Sequence, residues 1–195
     1  MSHGTFSDDP CTRWLTEGNP DRTMEMLENF SFTDPDGKVW LTPKGYTVDG
    51  ASIPRPLWTL VGSPYTGDYR RASIVHDKAC DDAVGDAAAR RAADRMFFHA
   101  CRAGGCTIKE ATILYLGVRI GALSASVPAW QLGTEAAESA GPRDSIPPAE
   151  RRVEADFRLG AQMLLQQPTT DDPFELEQRT DAVLSQVAAS SLPDQ

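Results

Sequence analysis

The fold is decided by residues 68–123, DYRRASIVHDKACDDAVGDAAARRAADRMFFHACRAGGCTIKEATILYLGVRIGAL. Apolar residues recur there every three to four positions, the period of a helix with one buried face. The spacing predicts three helices. The first starts near Asp68 as N-cap and runs to about Asp82, with Ala72, Val75, His76, Ala79 and Ala83 on one inward stripe. The second runs from Asp86 to about Ala103 and stops at Gly104-Gly105. Its inward stripe is Ala89, Ala93, Met96, Phe97 and Ala100, with Asp94 at the edge. The third opens on TIKE, where Thr107 and Glu110 have capping-box spacing, and is apolar on most sides, as a central helix is.

Upstream, RTMEMLENFSFTDPDGKVWLTPKGYTVDGA (22–51) holds short strand-like runs around the turn formers Asp34-Pro35-Asp36-Gly37, and suggests an antiparallel meander of three or four strands. The proline-rich GASIPRPLWTLVGSPYTGD (50–68) reads as an ordered connection with at most a helical turn near 57–60. Trp58, Tyr65 and Tyr69 either rim a pocket or join the core. Downstream of residue 127 the texture becomes Gly, Ser, Pro and Glu. The reading is therefore an α+β core domain, a small β meander plus three helices, over 1–127, a linker over 128–148, and an amphipathic helical tail over 149–195. The tail places Val153, Phe157, Ala161 and Leu164 at helical spacing, so it either folds back on the core or docks on another chain.

With 195 residues, 41% hydrophobic and 24% charged, the chain can bury a real core. A net charge of -9 without a basic cluster argues against nucleic-acid binding. No apolar run is long enough for a transmembrane helix, and MSHGTFSDDPCTRW lacks a signal-peptide pattern. That lack points to the cytoplasm, unless a larger assembly carries the protein outward. Cys11, Cys80, Cys101 and Cys106 show no metal-knuckle spacing and read as reduced thiols; Cys80 and Cys101, on facing helices, are the one pair to watch for a disulfide.

His76 carries the chemistry. An imidazole in an alanine-rich stripe loses hydration and needs a partner, and Asp94 on the neighbouring helix is the best candidate. A carboxylate on one ring nitrogen fixes the tautomer and leaves the other to take a proton, which prepares a general base; a purely structural pair has the same residues. Asp49 precedes Gly50, which frees the backbone there, and Asp77 lies about a hundred degrees around the helix from His76. Two carboxylates with carbonyls near Gly50 are the oxygen set that calcium favours, although Asp-Gly is also a common turn pair. Ser52 is not in a nucleophile elbow and reads as a capping hydroxyl. His99 reads as a surface residue and His3 as part of a flexible terminus.

The runs GYTVDGASIPRPLW, YRRASIVHD, RRAADRMFFHAC and ILYLGVRIGA resemble a family of phage and bacterial proteins known as domain-of-unknown-function family 1353, over about residues 12–125. The name implies no activity. More distantly, DGAS, then VHD, then AADRMF are similar in order to bacterial secreted phospholipases A2, although the signal peptide of those enzymes has no counterpart here. That resemblance implies His76 as base, Asp94 as its orienter, and calcium held by Asp49 and Asp77 with backbone oxygen near Gly50.

Three functions are thus open. One is a calcium-assisted hydrolase of a lipid or other ester. The second is a non-enzymatic phage or secretion-apparatus component docking on partner proteins through residues 149–195. The third is a cell-wall amidase or peptidase, for which the scattered histidines supply no zinc set.

Overall fold

A computed structural model describes residues 2–15, 23–49, 53, 57, 61, 67–125 and 148–190. The α+β class read from the sequence is the architecture observed. The β part is divided between two three-stranded antiparallel sheets. One sheet joins β1 (Thr5–Phe6), β4 (Phe30–Thr33) and β5 (Val39–Thr42) in the order β1-β4-β5. The other joins β2 (Thr12–Trp14), β3 (Met24–Met26) and β6 (Thr47–Val48) in the order β2-β3-β6. Side chains alternate across each strand, so Met24 and Met26 on β3, and Phe30 and Phe32 on β4, all point into the core.

The β4–β5 hairpin turns where Asp34-Pro35-Asp36-Gly37 predicts it. Asp34 Oδ1 accepts from the backbone N–H groups of Asp36 and Lys38 at 3.0 and 2.9 Å, while Trp40 Nε1 donates to its Oδ2 at 2.8 Å. Gly37 supplies the positive φ of 83° that closes the turn.

The three predicted helices are α1 (Arg70–Asp82), α2 (Ala87–Gly104) and α3 (Ile108–Ala125). α1 starts later than its aspartate suggests: Tyr69 occupies the N-cap without a side-chain bond. Asp86 caps α2, accepting from the N–H groups of Ala88 and Ala89 at 2.9 Å. Thr107 and Glu110 form the expected capping box: the Glu110 N–H donates to Thr107 Oγ1 at 3.2 Å and the Thr107 N–H to Glu110 Oε2 at 2.7 Å.

α2 ends against the chain that enters α1. A Cβ added at Gly104 would stand 2.3 Å from the Asp68 carbonyl oxygen, and that oxygen is backbone, which cannot swing aside. Gly104→Ala is expected to destabilise the protein by about 1–3 kcal/mol. A urea midpoint equal to the wild type would show that the α1–α2 crossing has slack.

The tail folds back. α4 (Pro148–Leu165) lies against α3, and α5 (Pro173–Ser190) against α2 and α4. Phe157, Leu164, Leu176 and Val183 join the same apolar core as Phe97 and Leu116. At Gly160 α4 comes close enough that an added Cβ would touch Leu116 Cδ2 at 3.4 Å. Around this apolar contact, Arg91 bonds Glu177 and Asp181, each at 2.6 Å, and Arg95 bonds Glu177. Partly exposed pairs of this kind contribute roughly 0–1 kcal/mol each, so they fix register more than they hold the tail on.

The amino terminus is anchored too. His3 Nδ1 lies 3.2 Å from His99 Nδ1, and its Nε2 lies 2.9 Å from Asp171 Oδ2 in the segment leading into α5. His99 is therefore partly buried by a partner far away in sequence. Arg102 Nε completes the cluster by donating to Asp171 Oδ1 at 2.8 Å.

Gly50, Ser52, Trp58, Tyr65, most of the turn at 57–60 and the linker up to residue 147 lie outside the described residues. Tyr69 is a core residue. Cys80, Cys101 and Cys106 are buried free thiols and Cys11 an exposed one. No helix among the described residues is long and apolar enough to cross a membrane.

Candidate functional site

α1 and α2 pack side by side, and His76 meets Asp94 between them. His76 Nε2 lies 2.9 Å from Asp94 Oδ1, and both residues are 0% exposed. Phe97, one turn past Asp94 on α2, covers the imidazole with ring centroids 4.7 Å apart. A buried carboxylate needs more than one donor. Asp94 has three: besides His76, Arg119 Nη1 on α3 donates to Oδ2 at 3.0 Å and Arg90 Nε to Oδ1 at 3.3 Å. Arg119, only 5% exposed, uses its Nη2 for Asp181 Oδ1 on α5 at 3.2 Å.

Cys80 follows His76 by one helical turn, and its Sγ lies 3.4 Å from Nε2 and 3.6 Å from Nδ1. A sulfur nearly equidistant from both nitrogens sits over the ring face, away from the in-plane lone pair of Nδ1. His76, Cys80 and Asp94 have ligand atoms within 4.8 Å of one another. The arrangement does not suit a metal: both oxygens of Asp94 already face cations, and the sulfur is off the imidazole lone-pair axis.

The charges follow from these contacts. Burial alone would raise the Asp94 carboxyl, but the bonds and charges of His76, Arg90 and Arg119 hold it below the usual carboxylate range. Burial alone would lower His76, yet Cys80 and Asp94 outweigh it and push the imidazole up to about 10. Arg119 is likewise raised, because Asp94 outweighs its desolvation. His99 shifts the other way, lowered first by burial and then by the neighbouring His3.

The two shifted histidines make stability depend on pH with opposite signs. A raised histidine stabilises fully below its unfolded value of about 6.5 and loses that contribution as pH climbs through its folded value. For His76 the loss therefore falls between there and about 10. A lowered histidine stabilises above about 6.5 and loses its contribution as pH falls through the folded value, which sets the acid side for His99. Urea midpoints should fall between about pH 7 and 9, inside the His76 window. Midpoints that stay level or rise over that range would contradict the His76 assignment.

Asp77, next to His76, is buried with 6% exposure, and Asp49 is exposed just past β6. Both act on Tyr46, whose hydroxyl donates to Asp81 Oδ2 at 2.6 Å. Burial, then Asp81, then the charges of Asp77 and Asp49 push the Tyr46 hydroxyl well above its ordinary range. The structure thus places His76 with Asp94, and Asp77 and Asp49 in the field of one tyrosine.

Sequence reasoning missed Arg119, Arg90, Asp181 and the placement of Cys80. Arg119 had a signal, as the one charged residue of the apolar run ATILYLGVRIGAL. A lone arginine in a central helix requires a buried anion.

Comparison with known proteins agrees with the resemblance to domain-of-unknown-function family 1353. The uncharacterized protein y4jT of Sinorhizobium fredii is 36% identical over 134 residues, which are 68% of this chain and 37% of that protein. A second uncharacterized protein of the same organism, y4iH, is 36% identical over 99 residues, 50% of this chain and 40% of its own length. The matches thus span about two fifths of these relatives. No solved structure matches. Residues 24–118, which carry His76, Asp77 and Asp94, match the model of DUF1353, described as a protein of unknown function, so this segment is similar to that family.

Proposed function

We propose that the protein is a metal-assisted hydrolase of lipid or other ester bonds. The observation that carries the reading is the 2.9 Å contact of Asp94 with Nε2 of His76, which leaves Nδ1 as the nitrogen able to accept a proton. Asp94 holds the ring in one tautomer, and Arg119 and Arg90 hold Asp94. His76 is closed to solvent, so this reading requires substrate binding to open its Nδ1 side; His76 would then take the proton of a water as the water oxygen attacks the ester carbonyl, and return it to the leaving alkoxide. Asp77 and Asp49 would hold calcium, with backbone oxygen near Gly50, and the ion would supply positive charge to the developing oxyanion. Phe97 excludes water from one face of the imidazole, which strengthens its bond to Asp94.

The test uses the purified full chain with phospholipid vesicles and simple carboxylic esters, with calcium or with chelator. Hydrolysis should require calcium and fall about 10²–10⁴-fold in His76→Gln. Below about pH 10 the rate should rise with pH, because the base form of His76 is the minor one there. Full activity of His76→Gln, or no hydrolysis of any ester with calcium present, would sink the proposal.

A further inference from the structure

We infer that Arg119 and Asp181 are positioning residues for the His76–Asp94 pair, so that α5, which lies outside the family-matched segment, completes the site. The inference rests on the hydrolase reading for its catalytic meaning, although its structural part stands by itself. Asp94 Oδ2 is occupied by Arg119 Nη1 at 3.0 Å, and the same guanidinium reaches Asp181 Oδ1 through Nη2 at 3.2 Å. Arg119 is one residue past the matched segment, and Asp181 is in the tail.

A planar guanidinium clamped at both ends has little rotational freedom, so it transmits the seating of α5 to the orientation of the Asp94 carboxylate. The carboxylate in turn sets which way the His76 ring faces. Asp181 is held from its other side by Arg91 at 2.6 Å, so the relay spans α1, α2, α3 and α5 through five side chains. Burial separates the members: His76 and Asp94 are closed to solvent, Arg119 nearly so, and the side chain of Asp181 is 37% exposed. The outer end of the relay can therefore be altered with little cost in stability.

The experiment compares Asp181→Asn, Arg119→Lys and Arg119→Met in the full chain, following the Nε2–H proton and the ring-nitrogen shifts of His76 by NMR at one neutral pH. Asp181→Asn should remain folded and shift or broaden the Nε2–H signal, though it touches neither His76 nor Asp94. Arg119→Met should lose the signal, and Arg119→Lys, which keeps the charge but not the fork, should restore it in part. If esters are hydrolysed, Asp181→Asn should lower kcat and leave KM unchanged. An Asp181→Asn protein that is folded and has the wild-type His76 signal would overturn the inference, as would retention of the signal in folded Arg119→Met. Should Arg119→Met not fold, Asp181→Asn decides alone. These spectra need no substrate, so absence of hydrolysis would fail the hydrolase reading while leaving the relay to be judged on its own.

Discussion

Replacing Asp94 by alanine is expected to lower the unfolding free energy by about 3–5 kcal/mol, a large share of the roughly 5–15 kcal/mol that a domain has in total. The residue faces His76, Arg119 and Arg90, and alanine takes that anion from all three, leaving Arg119 only its outer partner Asp181. The cost comes from the orphaned charges more than from the lost bonds, which can be checked directly. Asp94→Leu combined with Arg119→Met removes both ends of the innermost ion pair, and this double variant should regain much of what Asp94→Ala loses. Urea denaturation of the single and double variants gives the comparison. A loss below about 1 kcal/mol for Asp94→Ala would mean that water reaches the pair and screens it.

Phe97→Ala is expected to cost about 3–5 kcal/mol as well, by a different route. Phe97 is 0% exposed and packs its ring on the His76 imidazole, so truncation leaves a void bordered by a polar group. Phe97→Leu, which keeps most of the volume, should cost clearly less. The two variants also separate packing from electrostatics, since neither removes a charge. If both lost the same stability, the aromatic face against His76 would matter more than the filled space.

Much of the fold was legible because its determinants are local. The Asp34 turn, the Asp86 cap and the Thr107–Glu110 box each bond to backbone within four residues, and the sequence motif contains both partners. The helical period likewise put His76 on the face that meets Asp94. The rest depends on distant contacts. Asp94 reads as an edge residue because only the docking of α3 and α5 closes that side, and no motif states where α5 docks. His3 reads as part of a loose terminus because Asp171 and His99 are far away in sequence. The division into two sheets escapes pattern reading for the same reason: β1 reaches past two strands to pair with β4.

That last pairing bears on modularity. Thr5 and Phe6 complete a sheet whose other strands lie inside residues 24–118, while Leu176 and Val183 close the core from the opposite end of the chain. The segment matched by the family model thus does not close its own sheet or its own core. Lifted out alone it would present an unpaired β4 edge and a bare helical face, surfaces of the kind that drive self-association.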